Sequence, residues 1–229
     1  MKIDKDQIVA TALALLNESG LDALTTRALA TRLGVKQPAL YWHFKDRRAL
    51  LDAMNEAIEA ALRDRLPAAN QLWQDYAFAE GCAFRAALMA HRDGARLHAG
   101  SRPSRPQLEH SMIVLTQAGM PVPLAIQLLV SIGRFVVGWV LEEQAEHAQQ
   151  VGHPEPFELP DGLAGQAVQA FFDIGDDAAF ETGLRMIIAG AALAVRPLPA
   201  DAAQANLSTW LTKKFKPLVL HNNMGCHFK

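Results

Sequence analysis

Hydrophobic residues recur at intervals of three and four along almost the whole chain, which is the spacing of a buried helix face. The first segment shows this pattern in four apolar residues followed by a glycine that would stop the helix: Ile8, Ala12, Leu15, Leu16 and Gly20. The chain has no convincing alternating run of the kind that strands show, and no internal repeat. The pattern therefore predicts an all-α protein.

A pair of short helices is predicted near the N-terminus. Thr25 and Thr26 are suitable N-cap residues for a helix that Gly34 would end. Residues 37–43 predict a second short helix, and a long helix over about 47–65 follows. Two short helices joined by a tight turn are typical of the helix-turn-helix motif, whose second helix lies in the DNA major groove.

The predicted helices lengthen after residue 70. Glycine and proline separate five of them, which cover 71–90, 105–118, 122–144, 163–172 and 177–194. The segment 122–144 is apolar on more than one face, so it is either a central core helix or part of a subunit interface. Residues 145–162 contain several glycines and prolines, and they predict a flexible loop.

Charge is distributed unevenly along the chain. The net charge is only −2, but residues 1–50 contain eight Lys/Arg and five Asp/Glu, whereas the other 179 residues contain 14 and 19. A basic N-terminal part on an acidic body is expected when only one end of a molecule approaches phosphates.

Targeting and redox signals point to the cytoplasm. The first residues, MKIDKDQIVATAL, have no long apolar region and no cleavage site, and no uninterrupted apolar run of about 18 residues predicts a membrane span. The two cysteines, Cys82 and Cys226, have neither zinc-site spacing nor a disulfide framework. We therefore expect a cytoplasmic protein with no membrane partner.

The chemistry of residues 24–44, LTTRALATRLGVKQPALYWHF, suits DNA. Gln37 can pair with an adenine edge, and Pro38 and Ala39 can contact a thymine methyl group. Hydroxyl, imidazole and cationic side chains that could hold phosphates surround them: Thr25, Thr26, Arg27, Tyr41, His43 and Arg47. From these residues alone, a structural helical hairpin in which the Tyr-Trp pair serves packing remains an alternative.

Residues 13–54 resemble the DNA-binding head of the tetracycline-repressor class of the TetR family of transcriptional regulators. The stretches FRAALMAHRDGARLHAGSRP (84–103), GRFVVGWVLEEQ (133–144) and DDAAFETGLRMIIAG (176–190) resemble the effector domain of that class. The resemblance implies a homodimeric repressor of operator DNA that responds to a small-molecule inducer. It adds Trp42 to the DNA-facing residues named above. The implied domains are a helix-turn-helix head (1–46), a connecting helix (47–66) and an effector-binding and dimerisation domain (67–195). Residues 196–229 depart from the class, and we expect them to form a disordered C-terminal extension.

The same resemblance implies a magnesium site. His98 corresponds to the histidine that ligates Mg²⁺ in this class, and Glu142 to the glutamate that the partner subunit presents through water. Mg²⁺ prefers oxygen ligands and keeps several waters, so a chelating effector would complete its shell. The implied effector-contacting residues are Phe84, Ser101, Arg102, Pro103, Ile126 and Leu129, with Val168 and Phe171 from the partner subunit.

Three polar anchors of the class are replaced in this chain. Arg63 stands where the class has a histidine, Glu80 where it has an asparagine, and the expected glutamine falls near Ser111. We include Arg63 and Glu80 among the effector-binding residues. A site built on polar pairing rejects ligands that leave its groups unpaired, so the replaced anchors point to a ligand with different polar groups. Since the metal residues are retained, the expected inducer is a Mg²⁺-chelated tetracycline or a similar aromatic polyketide.

Three other functions remain open. An enzyme is disfavoured, because the sequence has no nucleophile elbow, no Gly-rich phosphate loop and no Cys/His pairing. A regulator of the wider TetR family could respond to an unrelated apolar effector without metal, and the Mg²⁺ dependence of effector binding would distinguish it. An architectural DNA-binding protein would lack an effector pocket.

Overall fold

This computed structural model describes residues 3–63, 72–152 and 159–195. These residues contain ten α-helices and no strand. The all-α prediction is therefore confirmed. In chain order the helices are α1 Lys5–Ser19, α2 Thr26–Leu33, α3 Pro38–Tyr41, α4 Arg47–Arg63, α5 Trp73–Met89, α6 Gly94–Ala99, α7 Arg105–Gln117, α8 Val122–Gly152, α9 Gly162–Ile174 and α10 Asp176–Val195.

The signals at both ends of α2 act as the sequence predicts. Thr25 Oγ1 accepts a hydrogen bond of 3.1 Å from the backbone N–H of Ala28, which satisfies one of the free donors at the helix start. Gly34 has a φ of 66°, in the left-handed region that glycine adopts without strain, and it ends the helix. The next helix, α3, is shorter than the predicted segment 37–43.

The first four helices share a small core. Helix α1 packs against α2 and α4, and α2 packs against α3. Their buried apolar side chains include Ile8, Leu16, Leu29, Leu40, Phe44 and Leu50. Because α4 also packs against α5, α6 and α7, the long helix connects this head to the rest of the molecule. The predicted domain boundaries at residues 46 and 66 remain predictions.

The body is organised around α5 and α8. Helix α5 contacts α4, α6, α8 and α10, whereas α8 also contacts α6, α7 and α10. The largest fully buried side chains in this core are Tyr76, Leu88, Leu97, Leu115, Val136, Val140, Phe180 and Leu184. A Cβ at Gly81 would lie 2.7 Å from Leu184 Cδ2, so the glycine allows α5 and α10 to approach closely.

The prediction of a loop over 145–162 is wrong at its N-terminal end, since α8 continues to Gly152 and reaches 31 residues. The segment 145–151 contains no glycine or proline, and its alanine, glutamine and glutamate residues favour a helix. After Gly138, the first glycine or proline in the sequence is Gly152. At the other end α9 already begins at Gly162. Residues 153–158, and the predicted extension 196–229, lie outside the described residues.

Two helices are long and apolar enough to cross a membrane by length and composition alone, over Val122–Ala148 and Asp176–Val195. Each of them buries one face in the core. On α8 this face includes Ala125, Leu128, Ile132, Val136 and Val140; on α10 it includes Phe180, Leu184 and Ile188. The rest of their apolar surface is partly buried or exposed within a single chain.

Candidate functional site

The head presents aromatic side chains to solvent around α3. Trp42 is 89% exposed and Tyr41 is 52% exposed. Large apolar side chains that are exposed next to each other are typical of contact surfaces. Gln37 and Pro38, at the start of the same helix, are also exposed.

Gln37 is held by a neighbouring helix. Its Nε2 donates a hydrogen bond of 2.7 Å to Thr26 Oγ1, which lies in the first turn of α2. This bond links the two helices of the motif and orients the Gln37 side chain. A side chain that is already oriented loses less conformational entropy when it pairs with a base.

The other predicted DNA-contacting residues lie on the same part of the chain at varied depths. Thr25, Arg27 and Arg47 are exposed, whereas Thr26, Ala39 and His43 are partly buried. The guanidinium of Arg47 donates to the carbonyl oxygens of Leu21 and Leu24 at 3.1 and 3.3 Å, so it also fixes the loop before α2. The DNA contacts of all ten residues remain predictions.

A cavity of about 380 Å³ lies between α4, α5, α6, α7 and α8, together with the segment between α6 and α7. This volume suits a small organic ligand. The walls contain six residues that were predicted to touch an effector or its metal: Glu80, Phe84, His98, Pro103, Ile126 and Leu129. We call this space the effector cavity.

His98 is oriented by a hydrogen-bonded chain in the wall of the effector cavity. Asn55 uses its amide nitrogen to donate to Glu59 Oε1 at 2.7 Å and to the Arg102 carbonyl at 3.4 Å. Its Oδ1 therefore faces His98 Nδ1, 2.9 Å away, and accepts a hydrogen bond from it. A neutral imidazole that donates from Nδ1 has a free lone pair on Nε2, which is the form that ligates metals.

One histidine is a small protein contribution to a metal site, but it fits Mg²⁺ bound to a chelating ligand. The described part of the chain contains no group of three His, Cys, Asp or Glu residues that could hold an ion. Mg²⁺ retains waters readily, so ligand oxygens and waters would supply the rest of its shell. Glu142 is exposed on α8 and is not a wall of the effector cavity of its own chain.

The effector cavity also contains a polar cluster. Gln107 Nε2 donates to Glu80 Oε1 at 2.9 Å, and the Ser111 hydroxyl donates to the same carboxylate. Tyr76, whose hydroxyl lies 3.2 Å from Ser111 Oγ, is buried behind them. Burial raises the pKa of Glu80 above its usual range and raises the pKa of Tyr76 to about 12, in both cases as the largest cause.

The residues of this site that sequence reasoning missed include the hydrogen-bonding residues Asn55, Glu59 and Gln107. Asn55 and Glu59 alternate with Met54, Ile58 and Leu62 on the buried side of α4, and all five are at most 5% exposed. Polar residues inside an apolar helical stripe were the available signal, because a buried polar group needs a partner or a ligand. Gln107 gave no comparable signal, since its burial depends on how α7 packs.

The remaining predicted effector residues do not line the cavity. Ser101 and Arg102 lie beside it, and the Arg102 N–H donates to Asp52 Oδ1 of α4 at 2.8 Å. Val168 and Phe171 lie on α9, away from the cavity of the same chain. These two, with Glu142, remain predictions for a site shared by two subunits. The side chain of Arg63 lies outside the described residues.

Helix α6 also contacts the head. The backbone N–H of Leu21 donates to Asp93 Oδ2 at 2.8 Å, and Arg96 forms an ion pair of 3.0 Å with Asp22. His98 lies one residue before the end of this short helix. The wall of the effector cavity is therefore one helical turn from the loop that precedes the helix-turn-helix motif.

Comparison with protein families gives two matches that together span most of the chain. Residues 8–54 match the family model described as bacterial regulatory proteins, tetR family. Residues 66–194 match the model described as tetracyclin repressor-like, C-terminal domain. The second match begins close to the predicted end of the connecting helix.

Individual relatives agree with these matches. The tetracycline repressor protein class A from transposon 1721 of Escherichia coli is 46% identical over 198 residues, which cover 83% of this chain and 91% of that protein. A TetR variant from Acinetobacter baumannii AYE in complex with minocycline has a TM-score of 0.75 at 40% identity, covering 87% of this chain and 98% of its own. A class A TetR in complex with 5a,6-anhydrotetracycline and magnesium has a TM-score of 0.64 at 42% identity, covering 82% and 97%.

These similarities extend through both the head and the body, and the relatives are regulators, not enzymes. The exposed helix-turn-helix surface and the effector cavity agree with a protein that binds DNA at one end and a ligand in the middle. The chain belongs to the TetR family and is a ligand-responsive, DNA-binding transcriptional repressor of the tetracycline-repressor type.

Proposed function

We propose that two copies of this chain repress transcription by binding the halves of a palindromic operator, and that a Mg²⁺-chelated aromatic inducer releases them. The inducer is a tetracycline or a similar polyketide, and the controlled gene confers resistance or efflux. The observation that supports the metal site is the hydrogen bond from His98 Nδ1 to Asn55, which leaves Nε2 free to ligate an ion. The complex of a class A relative with anhydrotetracycline and magnesium supports the same assignment.

Contacts between the effector cavity and α4 supply a route for the response. His98 is hydrogen-bonded to Asn55 of α4, and the Arg102 N–H donates to Asp52 of the same helix. Helix α4 starts at Arg47, directly after the head. An inducer that displaces His98 would pull on this helix and change the distance between the two heads of a dimer. Two recognition helices must be about 34–36 Å apart to enter successive major grooves, so such a change lowers operator affinity.

Dimerisation through α8 and α10 is the second part of the proposal. Both helices have an exposed face that contains apolar and small residues at helical spacing. On α8 it includes Val130, Gly138, Leu141 and Ala145; on α10 it includes Met186, Ala189, Gly190 and Leu193. Pairing these faces between two copies would bury them and would bring α9 and Glu142 of one subunit towards the other. We place this dimer in the cytoplasm, where its operator is.

The experiment that tests the inducer is a fluorescence titration with tetracycline and anhydrotetracycline, with Mg²⁺ and with EDTA, followed by operator release. We expect tight binding only with Mg²⁺, because the ion joins the ligand oxygens to His98. His98→Ala should abolish release by the inducer while operator affinity is retained. His147→Ala, on the exposed C-terminal part of α8, is the matched control and should respond like the wild type.

Two results would contradict the metal assignment. One is a His98→Ala protein that releases the operator at the same inducer concentration as the wild type. The other is effector binding that EDTA does not weaken, which would favour a TetR-family regulator that responds to an apolar effector without metal.

A further inference from the structure

One hydrogen-bond acceptor in the polar cluster of the effector cavity has no partner. Gln107 is 7% exposed, and its Oε1 is buried without any hydrogen bond. Its Nε2 donates to Glu80 Oε1 at 2.9 Å and to Ser111 Oγ at 3.3 Å. Rotating the amide would place its oxygen against the Glu80 carboxylate, so these two bonds fix the orientation and leave Oε1 as an unpaired acceptor.

An unpaired buried acceptor costs free energy, and most such groups in proteins have a partner. Gln107 lines the effector cavity, so a ligand in that space can reach its side chain. The neighbouring groups do not supply the missing donor: Ser111 already donates to Glu80, and Glu80 is itself an acceptor when ionised. The partner that this site requires is a ligand with N–H or O–H groups.

Charge restricts the ligand further. A second carboxylate, Glu59, lines the same cavity and is 5% exposed. Arg134 of α8, an exposed residue, also lines this cavity, but among the described side chains no lysine or arginine forms an ion pair with Glu59 or Glu80. The nearest basic group to Glu59 is the His98 ring, with Nδ1 at 3.3 Å from Glu59 Oε1. Two poorly compensated carboxylates beside an orphaned carbonyl favour a ligand that carries positive charge as well as donors.

We propose that the Glu80–Ser111–Gln107 end of the effector cavity binds a protonated amine of the inducer. The ammonium N–H groups donate to the Glu80 carboxylate and to Gln107 Oε1, and the apolar walls at Phe84 and Leu129 hold the rest of the molecule. This deepens the proposed function and rests on it only in placing the inducer in this cavity. It also gives a reason for Glu80 in place of the uncharged anchor of the class.

The test uses two small probes of equal length, 4-phenylbutylammonium and 4-phenylbutan-1-ol, with the full-length protein in buffer that contains EDTA. Affinities are measured by calorimetry on the wild type, Glu80→Gln and Glu109→Gln. A hydrogen bond to a charged group contributes about 1.5–3 kcal/mol, so the wild type should prefer the amine by about tenfold or more. Glu80→Gln should reduce this preference to about twofold or less. Glu109→Gln removes the same charge from an exposed position on α7 and should leave the preference unchanged.

Gln107→Leu provides a second variant, because it removes the unpaired acceptor and leaves both carboxylates in place. We expect it to reduce the amine preference less than Glu80→Gln does. Equal affinity of the wild type for the two probes, no binding of either, or a preference that Glu80→Gln does not change would each overturn the proposal.

A second pair of ligands separates this inference from the metal hypothesis. Tetracycline and its 4-dedimethylamino derivative chelate Mg²⁺ through the same oxygens, but only tetracycline has the amine. Mg²⁺-dependent binding of both with equal affinity would support the proposed inducer and overturn the amine site. A clear amine preference among the phenylbutyl probes, without Mg²⁺-dependent binding of either tetracycline, would support the amine site and remove the proposed inducer.

Discussion

Single residues of the head have separable roles in binding DNA. Gln37 is exposed and is hydrogen-bonded to Thr26, whereas its neighbour Lys36 is an exposed cation. A side chain that pairs with a base edge affects discrimination between sequences, and a cation that neutralises phosphate affects affinity for every sequence alike.

We therefore expect Gln37→Ala to reduce discrimination at one operator base pair by about 1–3 kcal/mol. Competition binding on operators with each base pair replaced in turn would measure it. Lys36→Ala is the control and should weaken binding to operator and random DNA to the same extent. Equal losses on both DNAs for Gln37→Ala would show that Gln37 does not read a base.

Glu80 gives a prediction about stability and pH. Burial, and to a lesser extent the charge of Glu59, raise the pKa of Glu80 above its ordinary value of 4.5. An acid with a raised pKa in the folded state destabilises that state once the unfolded chain can ionise. The cost is absent below about pH 4.5, grows as the pH rises to the folded-state pKa, and is constant above it.

Glu80→Gln should therefore raise the melting temperature at pH 8, and the gain should shrink as the pH is lowered to 5. Thermal denaturation of ligand-free protein at fixed concentration measures the difference. Glu109 is exposed on α7, so Glu109→Gln should show no such dependence on pH. A gain that does not depend on pH would exclude ionisation of Glu80 as its cause.

At the scale of helices, Arg85 of α5 connects three elements. Its guanidinium forms ion pairs with Glu143 of α8 and with Asp177 of α10, the latter at 2.6 Å. It also lies over the Phe180 ring, 4.9 Å from the centroid. Glu143 is 6% exposed, so its charge depends on Arg85 for compensation. These contacts raise the pKa of Arg85, with the hydrogen bond to Glu143 as the largest cause.

Arg85→Met should destabilise the protein by about 3–5 kcal/mol, because it leaves a buried carboxylate without its partner. Urea unfolding at fixed protein concentration measures this loss. Arg185→Met is the matched control. It removes an ion pair to Glu181 and a cation–π contact with Phe78, but its side chain is 63% exposed, so the expected loss is about 1 kcal/mol or less. Equal losses for the two variants would contradict the role of Arg85.

At the scale of the whole molecule, α8 and α10 expose apolar side chains that no other part of the described chain covers. Met186 and Leu193 are each 68% exposed, and they lie two turns apart on the same face of α10. Leu141 of α8 is 44% exposed. An exposed apolar face of this kind favours association with a second copy of the chain.

Met186→Glu should convert the dimer to a monomer, because two like charges would be buried at a symmetric interface. Sedimentation or light scattering would detect the change, and operator affinity should fall with it, since one head binds only half of the site. Leu72→Glu introduces the same charge at an exposed leucine directly before α5 and should leave the dimer intact. A Met186→Glu protein that stays dimeric would place the interface elsewhere.

The sequence by itself determined the helical fold, the helix-turn-helix motif and most helix ends. These features depend on local spacing and on caps such as Thr25 and Gly34, which act within a few residues. It also determined the family, because long stretches resemble its members. It did not predict the short helix α6, and it placed the end of α8 too early, because the glycines and prolines of 152–162 were read as extending back over helix-forming residues.

Only the tertiary structure brought Glu59, Glu80 and Gln107 to one cavity and Asn55 to His98 in its wall, because these residues come from different helices whose packing no local pattern specifies. It decided which atom of His98 is free, since that follows from the orientation of Asn55. It also left Oε1 of Gln107 without a donor. The sequence therefore determined what kind of protein this is, and the packing of α4, α5 and α7 determined the chemistry that its ligand must satisfy.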